Sequence, residues 1–385
     1  MISIIITYMK ILKAYKYRFE PTQEQVIQLS KEFGCARFVW NRALAEKEYA
    51  YQQWGVSLSS FDISRHITQY KKTEKYAWLN DSTATVLGQK LADLDKAMDN
   101  FFKGRAKFPK FKKKSHAQSI RNQLDQRQIV KNYMPGELLR LPKLGELDIR
   151  WSQIPKGIPK MATVSKTASG KYFVSFACEV EQVLMPMTGK VVGIDVGIKD
   201  VIVTSDGFHS GAPKYTYYYQ RKLKKAQRDL SRKTKGSNSW KKQRIVVAKI
   251  HEKIANSRKD FLHKVTTKLV QENDVICVED LNVSGMMKNR CLSKAVADVG
   301  IFELNRQLDY KAAWYGKQVI KISRWFPSTK TCSACGTIKP MKLSERVYEC
   351  GCGLSLDRDL NAAINIKTAG LAVSGAIHQP EKVAA

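Results

Sequence analysis

Residues 191–198 read VVGIDVGI, and their period decides the fold of the C-terminal half. An apolar run of this length, closed by glycines, reads as a β-strand. Side chains alternate across a strand, so Val192, Ile194, Val196 and Ile198 face a core while Gly193, Asp195 and Gly197 face the other way. A carboxylate flanked on its own face by two glycines has space beside it, which a metal ion and a phosphate backbone need. The plainer alternative is a solvent-facing Asp on a half-buried strand.

Two further stretches offer acids in comparable positions. In DVICVED, residues 274–280, Val275, Cys277 and Glu279 share one face, and Glu279 emerges where the apolar run ends. The carboxyl end of a buried strand is a common active-site position in open α/β sheets, although a turn or a helix cap also places an acid there. Asp280 points the opposite way. In LDRDLNAAINIK, residues 356–367, Asp357 is placed to cap a helix. Asp359 shares a face with Ala362, Ala363 and Ile366, so the helix can approach a sheet closely and deliver its acid there. Capping and the helix dipole account for Asp357 better than for Asp359. Three carboxylates brought together repel one another unless a cation sits among them, and oxygen-only ligands select Mg²⁺ or Mn²⁺. Two such ions suit phosphodiester hydrolysis.

Four of the eight cysteines fall at Cys332, Cys335, Cys350 and Cys352, as two knuckles around a polar segment. This spacing reads as a structural Cys₄ zinc ribbon holding one Zn²⁺. The second knuckle is one residue short of the common C-x₂-C, which puts some strain on the expected tetrahedron. Cys35, Cys178, Cys277 and Cys291 are isolated, and they read as buried small hydrophobes in a reducing compartment.

Around these motifs the 385-residue chain changes character several times. Residues 10–19 alternate as a strand, and residues 22–102 carry helical stripes expected of a small bundle. Residues 117–183 hold short alternating runs such as LDIRW and MATVSKT, read as a β-barrel or meander. The strand at 10–19 is expected to complete that barrel, which makes the bundle an insertion. After residue 191 come a hairpin turning at Asp206-Gly207, long polar helices over 217–272, a helical stretch over 295–315, the strand QVIKIS, and a last helix from about Asp357 to Thr368. The final residues, 371–385, read as a fraying tail. Met1 and Met9 are both plausible starts. Lys and Arg number 66 against 35 acids, a formal net charge of +31, which calls for a polyanionic partner. An anionic membrane is the poorer partner, since neither a spanning segment nor a basic amphipathic helix is read.

The motifs GIDVGIKD, VICVEDLN, PSTKTCSACG, CGCG and DRDLNAAINI, with KAYKYRFEPTQEQ and FVWNRAL near the N-terminus, resemble the TnpB family of transposon-encoded RNA-guided nucleases, relatives of the type V CRISPR effectors. The resemblance covers nearly the whole chain. It implies an α/β multidomain protein with an RNase H-like (RuvC-type) nuclease domain that carries a zinc-ribbon insertion. An N-terminal wedge β-barrel with an inserted helical recognition bundle completes the expected fold. The boundaries follow as 1–20 and 116–188 for the wedge, 21–115 for recognition, 189–326 and 357–370 for the nuclease, and 327–356 for the ribbon. The family's catalytic acids fall on Asp195, Glu279 and Asp359, and its zinc ligands on Cys332, Cys335, Cys350 and Cys352. It further implies a guide RNA encoded by the element, a short flanking motif on double-stranded target DNA, one RNA per monomer, and action in the prokaryotic cytoplasm beside the nucleoid.

Two basic stretches fit such partners. In KGRAKFPKFKKK, residues 103–114, Lys103, Arg105, Lys107, Lys110, Lys112 and Lys113 suit backbone contacts beside Phe108 and Phe111. The alternative is a solvated linker. Farther on, Arg221, Lys224, Lys225, Arg228 and Arg232 read as a wall of the guide–target channel or as a charged outer helix face. Two other functions stand beside the nuclease: an RNA-guided DNA-binding regulator without cleavage, which the three acids disfavour, and a transposase acting directly on element DNA.

Overall fold

The computed structural model describes residues 8–124, 139–157, 159–342 and 344–375. The expectations for the first seven residues and for 376–385 therefore lie outside the described residues. The described residues form two compact units, one spanning Lys10–Val180 and the other beginning at Glu181.

In the N-terminal unit, strand β1 (Tyr8–Phe19) leads into α1 (Gln23–Trp54), α2 (Ser60–Tyr70), a 3₁₀ turn and α3 (Ala84–Phe102). The start of α1 follows from local chemistry. Thr22 accepts from the Gln25 amide while the Gln25 side chain accepts from the Thr22 amide, a capping box, and Gly55 closes the helix at φ 65°. Strands β2 (Gln118–Gln123), β3 (Leu139–Leu141), β4 (Gly145–Leu147), β5 (Ile149–Arg150), β6 (Pro159–Lys166) and β7 (Tyr172–Val183) follow. Five strands form one sheet in the order β2-β6-β7-β1-β5, and β3-β4 is a separate hairpin. The first strand thus lies inside a sheet whose other members come after the helices. Among the described residues the sheet's two edges, β2 and β5, are not paired with each other.

The C-terminal unit is built on a four-stranded sheet. Its elements are β8 (Val191–Asp195), β9 (Val203–Thr204), α4 (Tyr215–Ser231), α5 (Asn238–Glu272), β10 (Val275–Glu279), α6 (Val283–Met286), α7 (Ser293–Val299), α8 (Ile301–Tyr315), β11 (Gln318–Ile322), β12 (Val347–Glu349), β13 (Ser355–Asp357) and α9 (Arg358–Val373). The order is β11-β10-β8-β9, with β10 parallel to both neighbours and β9 antiparallel. The helical stretch expected over 295–315 is broken at Gly300, whose φ of 73° ends one helix and begins the next. Helix α9 runs to Val373, past the expected end near Thr368.

One face of the sheet carries Val192, Ile194, Ile276 and Val278 into a core shared with α5, α7 and α8. Helix α9 covers the other face. At the amino ends of the strands, buried Lys317 is ion-paired to buried Asp274 at 2.5 Å, and Asp274 also accepts from the amides of Thr188 and Gly189. Burial pushes the Asp274 carboxyl up, but Lys317 and the two amides outweigh it and hold it down at about 2. Among the described residues no helix is long and apolar enough to cross a membrane.

Candidate active site and metal centre

Asp195 is the last residue of β8 and Glu279 the last of β10, so two parallel neighbours present their acids at the same sheet edge. Asp359 enters from α9, one residue into its first turn. Asp357 is the N-cap, accepting from the amides of Asp359 and Leu360 at 2.9 and 3.1 Å. Asp280 turns away into an ion pair with Arg324.

Gly193 explains how α9 reaches this edge. A methyl group there would stand 2.1 Å from the Ala363 carbonyl and 2.5 Å from the Lys367 nitrogen. Ala362 and Ala363 are fully buried at the contact. The space beside Asp195 that the two glycines create is therefore filled at Gly193 by the helix itself. The expectation that it stands open for a phosphate backbone is corrected on this point. Gly370 does the same farther along, where a β-carbon would fall 2.2 Å from the Cys277 sulfur.

The three carboxylates sense one another. Burial, then the charges of Glu279 and Asp359, push the Asp195 carboxyl up to about 7, against the opposing charge of Arg358. Burial also raises Glu279, opposed by a hydrogen bond from Ser328. The Ser328 hydroxyl donates to Glu279 Oε1 at 2.6 Å, and Arg358 pairs with Asp359 at 3.0 Å. The carboxylates do not form a group with ligand oxygens all within 4.8 Å of one another. An oxygen-only donor set under mutual repulsion fits a hard divalent cation.

Among the described residues only the four cysteines bring their ligand atoms all within 4.8 Å of one another. Cys332 Sγ lies 3.7 Å from Cys352 Sγ, and Cys335 Sγ 3.6 Å from Cys350 Sγ. A tetrahedron with metal–sulfur bonds of about 2.3 Å has edges of roughly 3.8 Å, whereas a disulfide needs about 2.05 Å. The four sulfurs can hold one metal ion, and the short second knuckle does not prevent it. Hydrogen bonding with the side chain and backbone of Thr337 is the main cause that brings the Cys335 thiol down to about 6, towards the thiolate a metal requires.

Cysteine cluster and acids are laced together by residues that sequence reasoning missed. Asn361 Nδ2 donates to the Thr331 carbonyl at 2.8 Å, and its Oδ1 accepts from the Ser333 amide at 3.0 Å. Asn365 Nδ2 donates to the carbonyls of Ser328 and Thr331 at 2.8 and 2.7 Å. The loop that orients Glu279 and opens the first knuckle is thus clamped to the helix that carries Asp359. Two buried asparagines one helical turn apart among alanines were the available signal.

The basic residues stand on separate units. Arg221, Lys224, Lys225 and Arg228 are exposed on α4, which buries only Ala226, and exposed Arg232 caps its end. In the other unit Lys103 pairs with Asp99 at 2.7 Å, and Arg105, Lys107, Lys110 and Lys113 are exposed. Lys112 is half-buried, with its ammonium 3.5 Å from the centre of the Trp40 ring. Phe108 packs edge-on against Phe101 at 5.2 Å.

Three family models match this chain. One described as "Probable transposase" covers residues 175–290, and the Cas12f1-like TNB domain covers 302–366. A "Helix-turn-helix domain" covers 9–55, a stretch that is here one strand followed by one continuous helix. A Streptomyces pristinaespiralis protein named as an RNA-guided DNA endonuclease is 42% identical over 95% of this chain and 91% of its own. The Escherichia coli InsQ, named likewise, is 35% identical over 95% and 94%. A Cas12f1 chain solved with sgRNA and target DNA aligns over 93% of this chain and 99% of its own at a TM-score of 0.58 and 13% identity, a likeness of fold. Identity of this extent over nearly the full length of both proteins shows that the chain belongs to the TnpB family, with the proteins named as RNA-guided DNA endonucleases.

Proposed function

We propose that this protein is an RNA-guided DNA endonuclease of a transposable element, hydrolysing phosphodiester bonds of guide-matched, motif-flanked duplex DNA at Asp195, Glu279 and Asp359. The observation that supports the reading is that the carboxyl ends of parallel strands β8 and β10 and the first turn of α9 bring Asp195, Glu279 and Asp359 near enough for the charges of Glu279 and Asp359 to raise the Asp195 carboxyl, in a chain of net charge +31. The names of its relatives support the same activity.

In this reading the C-terminal unit is an RNase H-like nuclease of the RuvC type. When bound at the three acids, two Mg²⁺ or Mn²⁺ ions supply Lewis acidity for the scissile phosphate and an activated water. Ser328 orients Glu279, Arg358 offsets the charge of Asp359, and α9 delivers that acid. Cys332, Cys335, Cys350 and Cys352 hold one structural Zn²⁺ in an inserted ribbon. The N-terminal unit supplies the wedge and recognition segments. The guide RNA is encoded by the element and one RNA binds one protein in the cytoplasm. Lys103, Arg105, Lys107, Lys110, Lys112, Lys113, Arg221, Lys224, Lys225, Arg228 and Arg232 face nucleic acid. Sequence is then read by base pairing, and the protein contributes charge.

The test is cleavage by purified protein with RNA from its element's end. A matching duplex should be cut by the native chain and bound but left intact by Asp195→Ala. Cutting that persists in the variant, or that needs no RNA, would overturn the reading.

A further inference from the structure

The segment 110–112 is not a solvated linker. The Trp40 indole donates to the Lys110 carbonyl at 3.0 Å. The Asn41 amide grips Lys112 from both sides, donating to its carbonyl at 3.0 Å and accepting from its amide at 2.7 Å. A side-chain amide that satisfies both backbone groups of one residue fixes that residue's position on α1. Continuing from it, the chain turns at His116, whose ring accepts from the Lys113 amide.

This clamp closes a small cavity of about 30 Å³ between α1, α3 and β2, lined by Arg37, Lys90, Lys112, Lys113, Gln118 and Ser119 among others. Four cations and no acid line it. Asp93 is the nearby acid, and it is shared between Lys90 at 2.9 Å and Arg121. Lys90 is itself buried. Among the described residues Arg37 and Lys113 make no ion pair. Burial and then the charge of Lys90 bring the Lys112 ammonium down to about 8, against the opposing charge of Asp93. The cavity has room for about two water-sized spheres, enough for phosphate oxygens and too little for a nucleobase.

We propose that Arg37, Lys112 and Lys113, backed by Lys90, form a preorganised pocket for one backbone phosphate of a bound nucleic acid. This rests on the reading of the protein as nucleic-acid-guided, and assigns one contact within it. The phosphate comes from RNA or from DNA, and the two sources share the chemistry. Charge-assisted hydrogen bonds from a held guanidinium and ammonium fix the strand's register and carry no base information.

The experiment measures binding of element RNA, and separately of target duplex to the RNA-loaded protein, across a salt series with metal chelated. Arg37→Gln with Lys112→Gln should weaken binding roughly tenfold. It should also lower the slope of log affinity against log salt by about 0.7 to 0.9, the value of one lost phosphate. Arg37→Lys with Lys112→Arg should restore the slope, which a mere packing defect would not allow. A slope lost in the RNA arm alone assigns the phosphate to RNA, and a slope lost in the DNA arm alone assigns it to DNA. Unchanged slopes in both arms, with native binding intact, would overturn the pocket and leave the nuclease reading standing. Absence of RNA binding by the native protein would sink both.

Discussion

Ser328 donates the hydrogen bond that sets Glu279, and it is buried within the loop that opens the cysteine cluster. Removing the hydroxyl leaves a half-buried carboxylate without its donor. Ser328→Ala should therefore slow cleavage by about tenfold or more with target binding unchanged, and Ser328→Thr should recover most of the rate. Equal loss in both variants would show that packing, not the hydroxyl, matters. Asp195 makes a prediction about stability. Its carboxyl titrates at about 7 in the fold, far above the ordinary aspartate value. Between those two values the folded state holds a proton that the unfolded chain has released. Stability of chelator-treated protein should accordingly fall as pH rises through that window. Asp195→Asn removes the penalty, and should raise the melting temperature of metal-free protein by several degrees at about pH 8 and hardly at all near pH 4. The same difference at both pH values would refute this coupling.

Among the elements, α9 does most to assemble the site, because it packs on β8 and β10 and presents Asp359 to both acids. Its approach depends on the absence of a β-carbon at Gly193, where the Ala363 carbonyl is 2.1 Å away. Gly193→Ala should push the helix off the sheet, costing about 1–3 kcal/mol or more and removing cleavage although all three acids remain. Thermal unfolding and cleavage assays check this together, and a variant with native stability and activity would refute the packing argument.

For the molecule as a whole, the cysteine cluster and the candidate acids belong to one mechanical unit. Asn361 and Asn365 tie α9 to the carbonyls of Ser328 and Thr331, next to Cys332. Metal analysis of the purified protein should find about one zinc per chain. Its removal by a thiol-competing chelator should lower cleavage in restored Mg²⁺, because Glu279 and Asp359 both lose a support. A chain without zinc would overturn the Cys₄ assignment, and full activity after its loss would overturn the coupling. The basic residues act at the same scale, since their effect is a summed field that grows weaker with salt.

Local periodicity determined a good deal of this. It gave β8 and β10, put Asp195 and Glu279 on one face with Asp280 on the other, and made Asp357 the cap before Asp359. Cysteine spacing determined the cluster. Each of these is read within one short stretch of chain, so the chain's own geometry expresses it. Only the tertiary structure decided that α9 fills the space at Gly193, that Ser328 holds Glu279, and that Asn41 pins a lysine 71 positions away. It also decided that α9 continues to Val373, since Gly370 packs against Cys277 in a sheet strand some ninety residues earlier in the chain. Contacts of that range have no period to read, because they exist only once the core has brought the partners together.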